Sequence, residues 1–228
     1  MITSNVAARM HRMVLFLGTA VALLLCCSVQ ATGQKVHDNY FEVLPLFWDR
    51  IYTEGGTTLY CSKKFGRNRG RSINIEHVYP MSWAMKSVGC RSRNNCRRKS
   101  RRFNQIESDM HNFYPSRKDI NKIRSSFPFG TIRGEKRRYG QCDFEFDPKK
   151  RIVEPQPASR GNIARAMFHM KDSYGLKIFS HQGRMLLRWH REDPPNDEER
   201  RRNNLIEKLQ GTRNRFIDKP ETARKLRF

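Results

Sequence analysis

Residues 73–77, Ile73-Asn74-Ile75-Glu76-His77, alternate apolar and polar positions, with β-branched side chains on the apolar ones. That pattern predicts a short strand, which Pro80 must terminate because it cannot extend a ladder. Upstream, Phe41, Leu44, Phe47, Trp48, Ile51 and Tyr52 recur at helical spacing, with Asp38 as the expected N-cap and Pro45 as a kink or break. Gly55-Gly56 should stop that helix, and residues 57–61 read as a strand. Past Pro80, residues 81–88 read as a short helix or an extended loop, and residues 91–102 as a charged loop. Ser116 is expected to cap a helix over residues 117–124, followed by a glycine-punctuated loop to residue 140. Cys142, Phe144 and Phe146 alternate as a strand, and residues 154–157 form an extended connector. Helical periodicity returns over residues 161–170 and 185–189. It returns again from Asp197 to Leu209, where acidic residues suit a first helical turn and Gly211 ends it. These elements imply one mixed α and β domain, α+β in class, over residues 32–228. Its basic tail is expected to be loose from about residue 219.

The first 31 residues are set apart by composition. Arg9 and Arg12 precede an uncharged apolar run, and Val29-Gln30-Ala31 presents small residues at its exit, the pattern of a secretory signal peptide. The run of about fifteen residues is shorter than the roughly twenty that span a bilayer, so no membrane span is expected. An exported chain changes the meaning of the cysteines that remain. Cys61, Cys90, Cys96 and Cys142 are an even set that favours disulfides over zinc, since no Cys-x-x-Cys pair occurs. The short loop between them favours Cys90–Cys96, which leaves Cys61–Cys142.

Charge narrows the partner. Lys and Arg number 45 against 22 acidic residues, for a net charge of +23. An excess of that size, clustered along the chain, points to a polyanion. Arg91, Arg93, Arg97, Arg98, Lys99, Arg101 and Arg102 fall together, and such a density repels itself unless an anion neutralises it. A long basic amphipathic helix for membrane surfaces is missing from the pattern, because residues 198–209 are too few and too mixed in charge.

Candidate chemistry begins at the strand end. A carboxylate beside an imidazole can act as metal ligand plus general base, if the backbone lets Glu76 and His77 address one atom. Asn121 falls on the predicted helix between Ile120 and Ile123, where asparagine is a mediocre choice. Its amide could bond a neighbouring loop, or its carbonyl oxygen could bind a hard cation. Glu107, His111 and Asn112 lie close together as a further polar set.

Glu76-His77-Val78-Tyr79-Pro80-Met81-Ser82-Trp83 resembles the Glu-His-Val-x-Pro-x-x-Trp signature of the bacterial endonuclease I family. Phe103-Asn104-x-x-Glu107-Ser108-Asp109-Met110-His111-Asn112 with Pro115 resembles its second block, and Asn121-x-x-Arg124-Ser125 the extension of that block. Residues 160–168, Trp189-His190-x-x-Asp193-Pro194-Pro195 and Gln210-Gly211-Thr212-Arg213-Asn214-Arg215-Phe216-Ile217-Asp218 resemble later blocks in the same order. Thr212 and Arg215 depart from the usual residues of the last. The resemblance implies a ββα-metal (His-Me finger) core with surrounding helices and a small antiparallel sheet. It implies a periplasmic or secreted nuclease that cuts DNA with little sequence preference, and leaves RNA open as a further substrate. Carried across, His77 is the general base, Glu76 and Asn121 are the Mg²⁺ ligands, and Arg93 holds the phosphate. Mn²⁺ or Ca²⁺ would suit the same ligands. Glu107, His111 and Asn112 become supports of the site. Arg91, Arg97, Arg98, Lys99, Arg101 and Arg102 become contacts to nucleic acid, and the chain is expected to act as a monomer. The competing expectation is a secreted nucleic-acid-binding protein without catalysis.

Overall fold

The computed structural model describes residues 32–134 and 137–228. The expected signal peptide and Lys136 of the basic loop lie outside the described residues. Strand β3 (Ile73–His77) forms where its alternation places it and pairs antiparallel with β4 (Phe113–Arg117), so that Ile75 faces Pro115 and His77 faces Phe113. Sequence reading finds no strand at β4, since proline argues against one. Pro115 is tolerated because its backbone faces away from β3. Its carbonyl accepts from the Leu59 N–H at 2.8 Å, so the missing N–H removes no rung of the β3–β4 ladder. Helix α5 (Lys118–Arg124) follows at once, giving a strand–strand–helix unit. Ser116 belongs to β4 and does not cap this helix.

Two other ribbons are short. β1 (Gly55–Thr57) pairs with β2 (Lys64–Gly66), and β5 (Phe144–Asp147) with β6 (Ile152–Pro155). The first replaces the strand expected over residues 57–61, and the last takes up part of the expected connector. Gly55, with φ 95°, cannot carry a side chain, because a Cβ would lie 2.0 Å from the Phe65 carbonyl oxygen of the partner strand. Residues beyond Thr57 instead turn inward, burying Tyr60 and bringing Cys61 to Cys142. The second disulfide is Cys90–Cys96. Both pairings match the expectation.

Helix α1 (Tyr40–Leu46) is capped by Asn39, whose side chain accepts from the Phe41 N–H at 3.0 Å. Asp38 is not the cap; its carboxylate meets Arg101. Pro45 lies inside α1, and the chain then continues as one π-turn over Phe47–Ile51. Helix α2 (Met81–Ser87) starts directly after Pro80. The basic stretch expected as a loop is two helices, α3 (Arg93–Lys99) and α4 (Arg101–Glu107). Ser92 and Ser100 cap them by accepting from the Asn95 and Phe103 N–H groups. Three basic residues fall in the last turn of α3, the favourable end of its dipole. Helices α6 (Arg160–Tyr174), α7 (Ser180–Glu192), α8 (Asp197–Gln210) and α9 (Arg215–Asp218) complete the α+β fold.

One core gathers α2, α4, α6 and α7 against Tyr60, Phe129 and Phe144; a second gathers Val43, Phe47, Ile51, Met110, Phe113 and Ile206. The end of the chain is not loose. Pro220–Lys225 form a 3-10 turn that buries Ala223, and the Phe228 ring packs on Phe168 and over Gly183. Among the described residues no helix is long and apolar enough to cross a membrane.

Candidate active site

The end of β3, helix α2, the start of α3 and helix α5 enclose a cavity of about 560 Å³ lined by Glu76, His77, Arg93 and Asn121. His77 is the last residue of β3, so a cavity at the strand terminus is reached from both of its faces.

His77 is set by one hydrogen bond. Its Nε2 lies 3.0 Å from the Glu107 carbonyl oxygen, which can only accept, so Nε2 carries the proton and Nδ1 keeps the lone pair. The rings of Phe113 and Tyr40 pack on it at 4.8 and 5.3 Å. Burial, reinforced by the Arg93 charge, holds its pKa down to about 3, so the imidazole stays neutral at any ordinary pH.

Asn121 is fixed in the same way. Its amide nitrogen donates to Asn74 Oδ1 and to the Ile75 carbonyl, both at 3.0 Å. Because a backbone carbonyl must receive a donor, the orientation of the amide is decided, and Oδ1 is the atom left over. Glu76 is nearly fully buried, and Tyr60 O–H donates to its Oε1 at 2.7 Å. Arg124 Nε approaches the same oxygen at 3.3 Å, while Arg124 Nη2 donates to the Val78 carbonyl at 2.6 Å. Burial nevertheless raises the Glu76 pKa against the pull of Arg124 and Tyr60. The pair thus offers the cavity one carboxylate and one amide oxygen, donor types suited to a hard divalent cation whose charge would offset that burial. Tyr60, Arg124 and Tyr40 are site residues that sequence reasoning missed. Arg124 was visible one turn after Asn121 on α5, but Tyr60 carries no local signal.

Arg93 is half-tethered. Its Nε binds the buried Glu107 carboxylate, which Arg97 also grips at 2.7 and 2.9 Å, whereas Arg93 Nη2 is buried without a partner. Glu107 therefore lies behind the cavity, its carboxylate on Arg93 and its carbonyl on His77. Asn112 lies behind it too. Its side chain accepts from the Tyr79 N–H at 2.7 Å and donates to the Tyr79 carbonyl at 3.0 Å, tying down the chain that leaves β3.

His111 is not in the cavity. Its Nε2 donates to the Thr212 carbonyl at 2.9 Å, and its ring packs at 4.4 Å on His169, whose Nε2 meets Asp109 at 3.0 Å. Asp109, His111 and His169 have potential ligand atoms within 4.8 Å of one another. Tyr174 and Gln210 also bind the Asp109 carboxylate, so this cluster is a hydrogen-bonded strut between α6, α8 and the 3-10 turn Met110–Asn112. Of the basic group, Arg91, Arg98, Lys99, Arg101 and Arg102 are exposed on or beside α3 and α4, while Arg97 is engaged with Glu107.

The family model described as Endonuclease I matches residues 20–221 of the chain. The chain belongs to the endonuclease I family. It is 38% identical over 223 residues to an extracellular deoxyribonuclease of Aeromonas hydrophila, covering 86% of this chain and 96% of that relative. It is 35% identical to Endonuclease-1 of Buchnera aphidicola subsp. Baizongia pistaciae, covering 89% of this chain and 93% of the relative. A similarity of 29% identity to an extracellular ribonuclease of Bacillus subtilis spans 51% of this chain and 45% of that protein. Membership of the endonuclease I family gives the cavity its context, because Glu76, His77, Pro80, Met81 and Ser82 of the Glu76–Trp83 block line it.

Proposed function

We propose that this endonuclease I family member is an exported, Mg²⁺-dependent endonuclease. It hydrolyses phosphodiester bonds of DNA with little sequence preference, and RNA is the further substrate to test. The observation that carries the reading is the meeting of Glu76, His77, Arg93 and Asn121 in one cavity. In this reading β3, β4 and α5 serve as the ββα-metal core.

The chemistry needs a base for the attacking water, positive charge at the phosphate and relief for the departing 3′ oxygen. His77 Nδ1 takes the proton of the attacking water, while the Nε2–H···O=C bond to Glu107 keeps the ring in the required tautomer. Arg93 turns its unpartnered Nη2 to a non-bridging phosphate oxygen without leaving Glu107. Glu76 Oε2 and Asn121 Oδ1 would hold the cation. A bound Mg²⁺ supplies charge to the phosphate and to the leaving oxygen. The exposed cations of α3 and α4 hold the flanking backbone by charge, which reads no sequence. Two disulfides and the names of the relatives support export, with residues 1–31 as the signal peptide and residues 32–228 as one monomeric domain.

A plasmid-nicking assay with the purified chain tests this. Cleavage should require Mg²⁺, stop in EDTA, and fall by about 10²–10⁴-fold in His77→Ala while DNA binding persists. Full activity in that variant would remove His77 from its role. Bound but uncut DNA in every lane would mean a binding protein.

A further inference from the structure

Beside the catalytic cavity lies a second, more apolar pocket of about 630 Å³, a size typical of small-ligand sites. Its walls are Pro128, Phe129, Ile152, Phe179 and Met185, and its base includes Gln182 of α7. Gln182 is only 3% exposed, yet neither its amide nitrogen nor its amide oxygen has a hydrogen-bond partner. An amide buried without partners is costly and asks for a ligand that is flat, apolar on its faces and polar along one edge. Phe179 answers the faces. It is 58% exposed, with the Lys177 ammonium 5.1 Å over its ring.

The pocket shares no lining residue with the cavity but meets the same loop. Ser125 and Ser126 line the cavity, and Pro128 and Phe129 of the same loop line the pocket. The buried Arg124 joins a lining residue of each, lying 3.3 Å from Glu76 and 4.8 Å over the Phe129 ring. Three extended residues reach at most about 10 Å, so the rims of cavity and pocket lie within that distance of each other along this loop. The rim carries Arg184, Arg188 and His181, all exposed, with Glu192 as a loose partner of Arg188 at 3.8 Å. That charge favours a polyanion over an apolar peptide.

Building on the nuclease reading, we propose that this pocket takes one unpaired nucleobase of a strand that is held for cleavage. The base lies against Phe179, and the Gln182 carboxamide, covered in the empty pocket, turns outward to pair along its edge. Every nucleobase presents a donor next to an acceptor on its pairing edge. An amide can meet each of them by turning over, so the pocket recognises an unpaired base without choosing which. A paired base has that edge occupied and must leave the stack to enter.

The test needs no cleavage. Fluorescence anisotropy in EDTA would compare a labelled single-stranded deoxyadenylate hexamer, the same hexamer with one abasic position, and a duplex of equal length. Gln182→Met and Phe179→Ala should each bind the single strand about tenfold more weakly and lose the distinction from the abasic strand. Their affinity for the duplex should stay unchanged. Gln182→Met should melt no lower than the parent, since it removes only unpartnered polar atoms. Parental single-strand affinity in both variants overturns the proposal. If Gln182→Met fails to fold, its amide is structural, and Phe179→Ala, at an exposed position, decides alone. Variants that bind normally in a chain that still nicks plasmid refute the pocket only. A chain that never cuts but loses single-strand binding in both variants refutes the nuclease reading and keeps the pocket.

Discussion

Glu107→Gln would separate the positioning of this site from its chemistry. The carboxylate is fully buried and shared by Arg93 and Arg97, while the backbone carbonyl of the same residue holds His77. Glutamine keeps the volume and the backbone carbonyl, removes the charge and turns one acceptor oxygen into an NH2 that cannot receive an arginine N–H. Deleting one partner of a buried ion pair costs about 3–5 kcal/mol. Here the Arg93 and Arg97 side chains are 40% and 23% exposed and can turn to water, so the discounted cost is about 2 kcal/mol. For a domain of this length that lowers Tm by about 4–8 °C. The loss of activity should be larger than the loss of stability implies, because Arg93 is left untethered. Removing a donor aimed at developing charge costs about 10²–10³ in kcat, and a displaced donor part of that, so kcat should fall about 30-fold well below Tm. The assay is the initial rate of plasmid nicking against DNA concentration, beside a thermal melt. If Glu107→Gln cut at the parental rate while Arg93→Ala fell a hundredfold, Arg93 would not depend on Glu107. An unchanged Tm would show that the buried charges contribute nothing net.

Two further outcomes follow from buried groups and from covalent loops. Burial holds both His77 and His111 at about 3, below the ordinary 6.5, so the unfolded chain binds more protons than the folded one between those values. Stability should therefore fall as pH drops from about 6.5 towards 3, at up to about 1.4 kcal/mol per pH unit for each histidine, and equal urea midpoints at pH 7 and 5 would contradict this. Replacing Cys61 and Cys142 by serine opens a loop with a sequence separation of 81, against 6 for Cys90 and Cys96. Loop entropy assigns about 4.5 kcal/mol to the first and about 2.4 kcal/mol to the second, and calorimetry showing equal losses would rule that account out.

Local signals carried much of the fold. Strand β3, the placement of Asn121 on α5, and α8 with its acidic first turn and Gly211 stop all follow from patterns within a few residues. The failures come from compensation at a distance. The basic stretch reads as a self-repelling loop because its neutralising acids, Glu107 and Asp38, fall outside the run, yet the two serine caps that make it helical lie within it. β4 escapes notice because proline argues against a strand in general. Here the outcome turns on which side of the ribbon the Pro115 backbone faces, and that depends on Leu59.

The proposed reacting groups are easier to read than the groups that hold them, for a physical reason. A base or a cation ligand must be of a particular chemical type, so His77, Glu76 and Asn121 stand out by identity. A support need only supply one donor or acceptor at the right point, and many residues can. Tyr60 reaches Glu76 across 16 positions because burial beside Cys61–Cys142 carries it inward, and nothing in its neighbours announces that. His111 shows the converse. It shares a motif with Asn112, but the 3-10 turn between Met110 and Asn112 sends consecutive side chains to different places. Asn112 meets the backbone of Tyr79, two residues past His77, whereas His111 meets Thr212 and His169. Adjacency in sequence therefore assigns a support to a site only after the local turn is known, and His111 belongs to the strut beneath α6 and α8, not to the cavity.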